Sequence, residues 1–297
     1  MIYTAVGTSG LMVSRIGFGC MSLPANEGEA FPVLHHAIAN GVNYLDTADI
    51  YNDGVNEEII GKAIKGKREK LVIASKAGNV RNTTGGLDWD PSKKHILQSI
   101  EGSLRRLQTD YIDLYQLHGG TINDNIDETI EAFELLKEQG KIRYYGISSI
   151  RPNVIREYVM RSSIISVMTQ YSLLDRRPEE DTLEFLLKNN IGVLVRGSVA
   201  QGLLINKKAK DYLGISADNV AKTAKAVSDV SGQTRTATQT AIQYVLQNNA
   251  VSSAVVGMRT KAQVDEALQT IQSPALTDEE MALLRNAVPP LVYKEHR

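Results

Sequence analysis

The chain has 297 residues, of which 42% are hydrophobic and 23% charged, and its formal net charge is −1. This composition indicates a globular protein with enough length for a large core, and the near-zero charge argues against binding to nucleic acid or to a membrane surface. The single cysteine, Cys20, can form no internal disulfide, which is typical of a reducing compartment. Because neither a signal peptide nor a membrane-spanning apolar run is recognisable, we expect a cytoplasmic protein.

The predicted elements begin with a hairpin and continue with alternating strands and helices. Residues 2–15 alternate between apolar and polar positions and carry a turn signal at Ser9-Gly10, which predicts a small β-hairpin. Short apolar segments separated by helix-like segments then recur at 16–20, 42–46, 71–75, 111–117, 142–147, 165–170, 191–195 and 252–256. Most of them are continuous apolar runs, as is typical of strands covered on both faces.

Capping residues mark several helix boundaries. One helix is predicted to end at Gly41 and another at Gly140, since glycine commonly follows the last helical turn. A third helix is predicted to begin with Asp90 as its N-cap and Pro91 in its first turn. Eight strand–helix units without a Pro- or Gly-rich linker predict an α/β fold. We expect a (β/α)8 TIM barrel with a short N-terminal β-hairpin, as a single domain over residues 1–297.

Polar residues stand at the predicted strand ends, where the active sites of such barrels lie. The connections after the third, fourth and seventh strands are long, namely 76–91, 118–126 and 196–220. The polar residues at or just beyond strand ends are Asp46, Lys76, His118, Ser148 with Ser149, Gln170 and Arg196, and Tyr51 lies one short loop after Asp46. Each residue alone has an ordinary structural interpretation, but together they converge on one rim.

This group of side chains is suited to donating a proton. A free phenol has a pKa of about 10, and a neighbouring ammonium favours the ionised form of the phenol. Asp46 would keep Lys76 charged, and His118 could hydrogen-bond a carbonyl oxygen beside Tyr51. A carbonyl polarised in this way is ready to accept hydride, which no side chain supplies, so a nicotinamide cofactor is implied.

The cofactor would have to be held without the usual dinucleotide fingerprint. "GFGCMS" has Ser22 where a third glycine belongs, and "GKAIKGKR" follows a helical segment, so it is no phosphate-binding P-loop. A helix predicted to begin near Thr260 offers its N-terminus as an anion site, with Arg259 placed to bind a phosphate. Arg259 could equally be a surface residue in a connecting loop. Ser148, Ser149 and Gln170 could bond the carboxamide.

Several of these motifs, in this order, resemble the aldo-keto reductase family along essentially the whole chain. "GVNYLDTADIYNDGVNEEIIG" (41–61) is similar to the family's first signature, "VIASKAG" carries Lys76, and "DLYQLH" carries His118. "GKIRYYGISS" (140–149) is similar to the segment that ends at a carboxamide-binding pair. The hairpin-first layout resembles bacterial members related to the potassium-channel β-subunit branch.

The resemblance implies an NADPH-dependent reductase that transfers hydride to the carbonyl of aldehydes or ketones, reversibly and without a metal. Tyr51 would be the general acid, assisted by Lys76 and Asp46, and His118 would orient the carbonyl. The residues implied to contact NADP(H) are Met21, Asp46, Ser148, Ser149, Gln170, Arg196, Gly197, Val199, Gln201, Gly257, Met258, Arg259, Thr260, Gln263 and Glu266.

Three positions depart from the family pattern. Ser149 stands where asparagine is usual, and Ala267 stands where the adenosine-binding helix commonly has asparagine. Arg196 replaces an aromatic residue that many members stack on the nicotinamide. Arginine can also stack, but it carries charge. We therefore hypothesise a weaker or differently held nicotinamide.

Two other functions remain open from the residues alone. Lys76 could form a Schiff base, as in a class I aldolase, or the protein could be an NADP(H)-binding sensor or auxiliary subunit with slow turnover. The substrate cannot be read, and we expect a monomer. Only "PPLVYKEHR" follows the last helix, so no long lid is expected, and Met21 and Trp89 are candidate pocket walls.

Overall fold

The strands of a computed structural model that describes residues 1–297 form one closed barrel and two hairpins. In chain order they are β1 (Tyr3–Ala5), β2 (Met12–Ser14), β3 (Ile16–Gly19), β4 (Tyr44–Asp46), β5 (Val72–Ala77), β6 (Asn79–Arg81), β7 (Leu87–Trp89), β8 (Ile112–Leu117), β9 (Ile142–Ser148), β10 (Ser166–Gln170), β11 (Gly192–Arg196) and β12 (Val251–Val256). The barrel runs in the cyclic order β3, β4, β5, β8, β9, β10, β11, β12, with every pairing parallel. The predicted (β/α)8 barrel is therefore confirmed.

Helices surround the barrel and cover the outer faces of its strands. They are α1 (Glu27–Ala39), α2 (Val55–Ala63), α3 (Lys93–Leu107), α4 (Ile126–Glu138), α5 (Pro152–Arg161), α6 (Thr182–Lys188), α7 (Ala217–Ser231), α8 (Ala237–Leu246), α9 (Lys261–Gln269) and α10 (Asp278–Asn286). Two helices, α7 and α8, separate β11 from β12, so the seventh unit is longer than a simple strand–helix pair. None of the helices has the length and apolar character needed to span a membrane.

The predicted helix ends are correct, but one predicted start is wrong. Gly41 and Gly140 follow α1 and α4 with φ angles of +91° and +71°, which glycine adopts without strain. Helix α3 begins at Lys93, and Ser92, not Asp90, accepts the capping hydrogen bond, from the amide of His95. Asp90 accepts a 3.0 Å bond from the amide of Ser92 instead. A residue that precedes proline is biased towards extended backbone, which delays the helix past Pro91.

The amino-terminal hairpin closes the end of the barrel opposite the strands' carboxyl ends. Strands β1 and β2 pair antiparallel, which confirms the predicted hairpin. Its residues Val6, Leu11 and Val13 are buried in one apolar cluster with barrel-interior side chains that include Tyr44 and Leu114. A separate, larger cluster lies between the barrel and its helices. The closed end of the interior is therefore filled mainly by apolar side chains, whereas the charged side chains Asp46 and Lys76 lie near the mouth.

Candidate active site

The carboxyl ends of the barrel strands open into a cavity of about 1000 Å³. Its wall includes the predicted catalytic residues Asp46, Tyr51, Lys76 and His118. Because these residues lie in or just after the carboxyl ends of three neighbouring strands, β4, β5 and β8, the barrel brings them to one side of the mouth. No group of three or more His, Cys, Asp and Glu side chains is placed to hold a metal ion.

A buried ion pair lies at the floor of the cavity. Lys76 is only 1% exposed, and its Nζ donates to Asp46 Oδ1 at 2.6 Å and to the carbonyl oxygen of Thr47 at 2.7 Å. Gln116 Nε2 donates to the second Asp46 oxygen at 3.3 Å. Burial alone lowers the pKa of Lys76, but the charges of Asp46 and Tyr51 outweigh it, so the pKa lies above its usual value. The lysine is therefore charged near neutral pH.

Two rings stand above this pair. The Lys76 Nζ lies 5.1 Å from the centroid of the Tyr51 ring. The Tyr51 and His118 centroids are 5.9 Å apart, with the rings nearly perpendicular at 79°. Asn79 Nδ2 donates to the carbonyl oxygen of His118 at 2.8 Å and fixes its backbone.

His118 is neutral in this setting. Burial, and then the positive charges of Lys76 and Arg196, lower the pKa of the imidazole to about 3. The Nδ1 atom is buried and has no hydrogen-bond partner within the chain. A neutral ring that carries one N–H can polarise a carbonyl oxygen without delivering a proton to it.

The turn that carries Tyr51 has an unusual backbone. Three consecutive residues after it, Asn52, Asp53 and Gly54, have left-handed φ angles of 53°, 53° and 89°. Asp53 Oδ1 accepts a 2.7 Å bond from Arg81 Nε, which ties the turn to the hairpin formed by β6 and β7. Two non-glycine residues in this region store backbone strain, as is common at functional sites.

A buried carboxylate connects this turn to the strand that carries Lys76. Glu57, at 0% exposure, accepts a bond from the Ser75 hydroxyl at 2.5 Å and from Arg106 at 2.7 Å. The Arg106 side chain also packs directly beneath Gly54. Ser75 and Arg106 were not identified from the sequence. A fully buried glutamate requires a cationic partner, but nothing in the spacing shows that Arg106, on α3, supplies it.

Only part of the predicted cofactor set lines the cavity. The lining residues are Met21, Asp46, Ser148, Ser149, Gln170, Arg196, Gly197, Gln201 and Gly257. The residues outside it are Val199, Met258, Arg259, Thr260, Gln263 and Glu266. Most of this second set lies around the start of α9, where Thr260 is the N-cap as predicted. Met258 is buried, at 1% exposure.

The residues present fit a dinucleotide. Gly197 and Gly257 both line the cavity, where the absence of a side chain leaves the backbone open to a ligand. Gly197 has a left-handed φ of +77°, and Gly257 packs so closely on Ser22 that a Cβ would lie 2.9 Å from Ser22 Oγ. Arg196 Nη1 donates to Gln170 Oε1 at 2.7 Å, which places a guanidinium at the ends of β10 and β11. The exposed Arg259 stands at the N-terminus of α9, as an anion site requires. Ala267 is buried, so its side chain contacts no ligand.

The carboxyl-terminal tail, residues 291–296, forms one wall of the cavity. Although the sequence predicts no long lid, this short tail therefore narrows the cavity. The amide of Asn153 donates to the carbonyl oxygen of His296 at 2.8 Å, and Arg297 forms an ion pair with Glu180. Arg177 lies 5.1 Å from the centroid of the Tyr293 ring. Asn153 lies in α5, and Arg177 and Glu180 lie between β10 and α6. All three are far from the tail in the chain, so the tail sequence could not predict these anchors.

Trp89 supports two loops and does not line the cavity. Its Nε1 donates to both carboxylate oxygens of Asp124 at 3.0 Å. A Cβ on Gly78 or Gly119 would lie 2.8 or 2.9 Å from the ring, so only glycine fits on either side. Of the two proposed pocket walls, Met21 lines the cavity.

Known proteins resemble the chain along nearly its full length. A sequence model of the Aldo/keto reductase family matches residues 15–289. The chain is 48% identical to the uncharacterized oxidoreductase YqkF of Bacillus subtilis, with 98% of each chain covered. It is 30% identical to L-galactose dehydrogenase of Arabidopsis thaliana, with 90% of this chain and 87% of the relative covered. The holo form of aldo-keto reductase AKR11C1 from Bacillus halodurans is 47% identical, with a TM-score of 0.93 and 100% and 99% coverage.

Proposed function

The chain belongs to the aldo/keto reductase family, and on that basis we propose that it reduces the carbonyl of an aldehyde or ketone with NADPH and catalyses the reverse oxidation. NADPH, when bound, supplies the hydride. The protein's part is to bind and orient the two reactants, exclude water and supply the proton.

The observation that carries this proposal is the buried ammonium of Lys76 beneath the phenol of Tyr51, 5.1 Å from the ring centroid. Tyr51 donates its phenolic proton to the oxygen of the reduced carbonyl. Lys76, held charged by Asp46 at 2.6 Å, stabilises the phenolate that remains. The neutral His118 donates its N–H to the same oxygen and so favours the negative charge that develops there.

Residues on the other side of the mouth would hold the cofactor. Ser148, Ser149 and Gln170, at the ends of β9 and β10, are suited to bonding the carboxamide. Arg259 and Thr260, at the N-terminus of α9, are suited to the phosphate that distinguishes NADPH from NADH. This arrangement supports a preference for NADPH.

The Schiff-base alternative is less well supported. A lysine nucleophile needs a lowered pKa or a free amine, whereas the pKa of Lys76 is raised and its Nζ donates to two oxygens. Borohydride trapping of a carbonyl compound on Lys76 would favour this alternative. A stable partner complex combined with negligible turnover would favour the sensor or auxiliary subunit.

The test is a screen of aldehydes and ketones in which loss of NADPH absorbance is followed, with Tyr51→Phe as the control. We expect at least one class of carbonyl compound to be reduced, with NADPH preferred over NADH, and the variant to lose at least about 100-fold in rate. If no carbonyl compound is reduced faster by the wild type than by Tyr51→Phe, the proposal is wrong. Equal affinity for NADPH and NADH would remove the role given to Arg259.

A further inference from the structure

Arg151 is a partly buried cation in the cavity wall that has no acidic partner. It follows β9, and its Nη1 donates to the backbone carbonyl of Gly120. The Nε and Nη2 atoms of Arg151 take part in no hydrogen bond or ion pair within the chain, so this edge of the guanidinium is free. Arg177, in the same wall, contrasts with it, because its Nε and Nη2 atoms donate to the two carboxylate oxygens of Asp175 at 2.7 Å. A guanidinium out of bulk water is costly unless an anion pairs with it.

The position of Arg151 separates it from the phosphate end of the cofactor site. The segment around Arg259 follows β12, and β12 lies four strands around the barrel from β8. Gly120, which Arg151 bonds, follows β8 and comes two residues after His118. Arg151 itself follows β9, and its amide donates to Ser149 Oγ at 3.2 Å. Its guanidinium therefore lies between the proposed carboxamide-binding residues and the β8 end where His118 would polarise the carbonyl, and away from the expected cofactor phosphates.

The tail adds positive charge to the same side. Its anchor, the 2.8 Å bond from the Asn153 amide to the His296 carbonyl oxygen, lies two residues beyond Arg151. Lys294 lines the cavity and has no ion-pair partner. The neighbouring Glu295 also lines the cavity, but its side chain is 84% exposed, and its carboxylate lies 3.8 Å from Nε2 of His296. This part of the wall therefore places two cations, Arg151 and Lys294, against one carboxylate, Glu295, and positive charge is in excess.

We propose that the substrate of this enzyme is an aldehyde or ketone that also carries a carboxylate, and that Arg151 binds this carboxylate. The proposal rests on the reductase function proposed above. The two donors on the free Nε and Nη2 edge match the two oxygens of a carboxylate, which favours a bidentate contact. Lys294 adds charge that attracts the anion.

The test compares matched carbonyl compounds that differ in the carboxylate. The pairs are succinic semialdehyde with butanal, and 3-carboxybenzaldehyde with benzaldehyde. For at least one pair we expect kcat/KM of the wild-type protein to be about 10- to 100-fold higher for the carboxylate member. Arg151→Gln should remove this preference by raising KM for the anionic member, and Arg151→Lys should restore part of it. The neutral member should change by less than about threefold.

Two controls separate this role from a structural one and from a role in cofactor binding. Arg161→Gln removes an exposed arginine at the far end of α5 and should leave both members of each pair unchanged. The NADPH dissociation constant, measured by fluorescence titration, should stay within about twofold in Arg151→Gln. An equal loss of kcat/KM for anionic and neutral members, or a weakened NADPH complex with unchanged selectivity, would overturn the proposal.

A binding measurement distinguishes failure of this inference from failure of the reductase function. Succinate and succinamide are titrated calorimetrically into the NADPH-loaded protein, where we expect binding of succinate alone and its loss in Arg151→Gln. Succinate binding without carbonyl reduction would support the subsite and contradict the reductase function. Carbonyl reduction without succinate binding or carboxylate preference would contradict the subsite alone.

Discussion

At the scale of single residues, the pair formed by Asp46 and Lys76 is better explained by function than by stability. Two charges at 1% and 6% side-chain exposure lose most of their hydration, and an apolar pair of similar volume often stabilises a core as well or better. The 2.6 Å contact instead keeps the ammonium charged and fixed beneath Tyr51. In the proposed mechanism, the proton donor lies in the loop after β4, and the charge that assists it lies in β5.

Asp49, two residues before Tyr51, predicts a pH dependence of stability. Burial, and then the charge of Glu57, raise the pKa of the Asp49 carboxyl to about 7. The stability that neutral Asp49 contributes is therefore fully present below about pH 4 and is lost as the pH rises through 7. We expect Asp49→Asn to gain stability relative to the wild type, on the order of 1–2 kcal/mol, between about pH 5 and pH 8.

Urea unfolding at several pH values measures this difference. Asp53→Asn, which removes an exposed carboxylate of the same turn, is the matched control and should show no such pH trend. A constant difference between Asp49→Asn and the wild type over this pH range would contradict the assignment.

Because of Arg196, we expect the nicotinamide to be bound more weakly than in family members that stack an aromatic ring on it. Its guanidinium is directed to Gln170 at 2.7 Å, where many family members have an aromatic ring. Arg196→Tyr should tighten NADPH binding by about 5-fold, because a stacked ring contributes about 1 kcal/mol. Fluorescence titration measures the dissociation constant, and Arg196→Gln separates loss of charge from gain of the ring. Unchanged cofactor affinity and turnover in Arg196→Tyr would count against this hypothesis.

At the scale of elements, the loop between β4 and α2 positions the phenol of Tyr51, the proposed proton donor. Its left-handed residues end at Gly54, which lies over the Arg106 side chain that Glu57 holds in place. The same glutamate bonds Ser75, next to Lys76 in β5. One buried carboxylate thus links the two elements whose relative position sets the distance between phenol and ammonium.

Gly54→Ala tests this support. A Cβ at Gly54 would lie 2.7 Å from Arg106 Cδ, whereas one at Gly66, with a similar φ of +76°, would meet nothing within 4 Å. Gly66→Ala should cost about 1 kcal/mol through backbone strain alone. Gly54→Ala should cost about 1–3 kcal/mol more, because Arg106 must move, and should also slow turnover. Thermal unfolding and kcat/KM measure both effects, and equal losses in the two variants would show that the Arg106 contact is unimportant.

The sequence predicts the elements and the rim well because both depend on local patterns. Apolar runs identify the strands, and the barrel then brings Asp46, Lys76 and His118 together. The ion pair between Glu57 and Arg106, and the contacts that anchor the carboxyl-terminal tail, join residues far apart in the chain. No local sequence pattern reveals such contacts. The cap at Ser92 was missed because Asp90 is an equally good capping residue, and only the backbone before Pro91 decides between them.

At the scale of the whole molecule, one end of the barrel contributes mainly to stability, and the other end carries the proposed active site. The hairpin closes one end with apolar side chains, and the mouth at the other end carries the charged groups. Stability and chemistry can therefore be changed independently to a large extent, as is typical of this architecture.

Val13→Ala tests this separation. Val13 is fully buried between hairpin and barrel, so its truncation should cost about 1–2 kcal/mol. Met12, its neighbour on the opposite face, is 47% exposed, and Met12→Ala should have little effect. Thermal unfolding measures the difference, while kcat/KM at a temperature where both variants are folded should match the wild type. A substantial loss of kcat/KM in folded Val13→Ala would show that the two ends are coupled.

The most direct test of the central claim is the single-turnover rate of NADPH oxidation by a reducible carbonyl compound in the wild type and in Tyr51→Phe. The dissociation constant for NADPH is measured on the same samples. If Tyr51 donates the proton, the variant should be slower by about 10²- to 10⁴-fold, with NADPH affinity within about threefold of the wild type. A rate within a few-fold of the wild type would contradict the account.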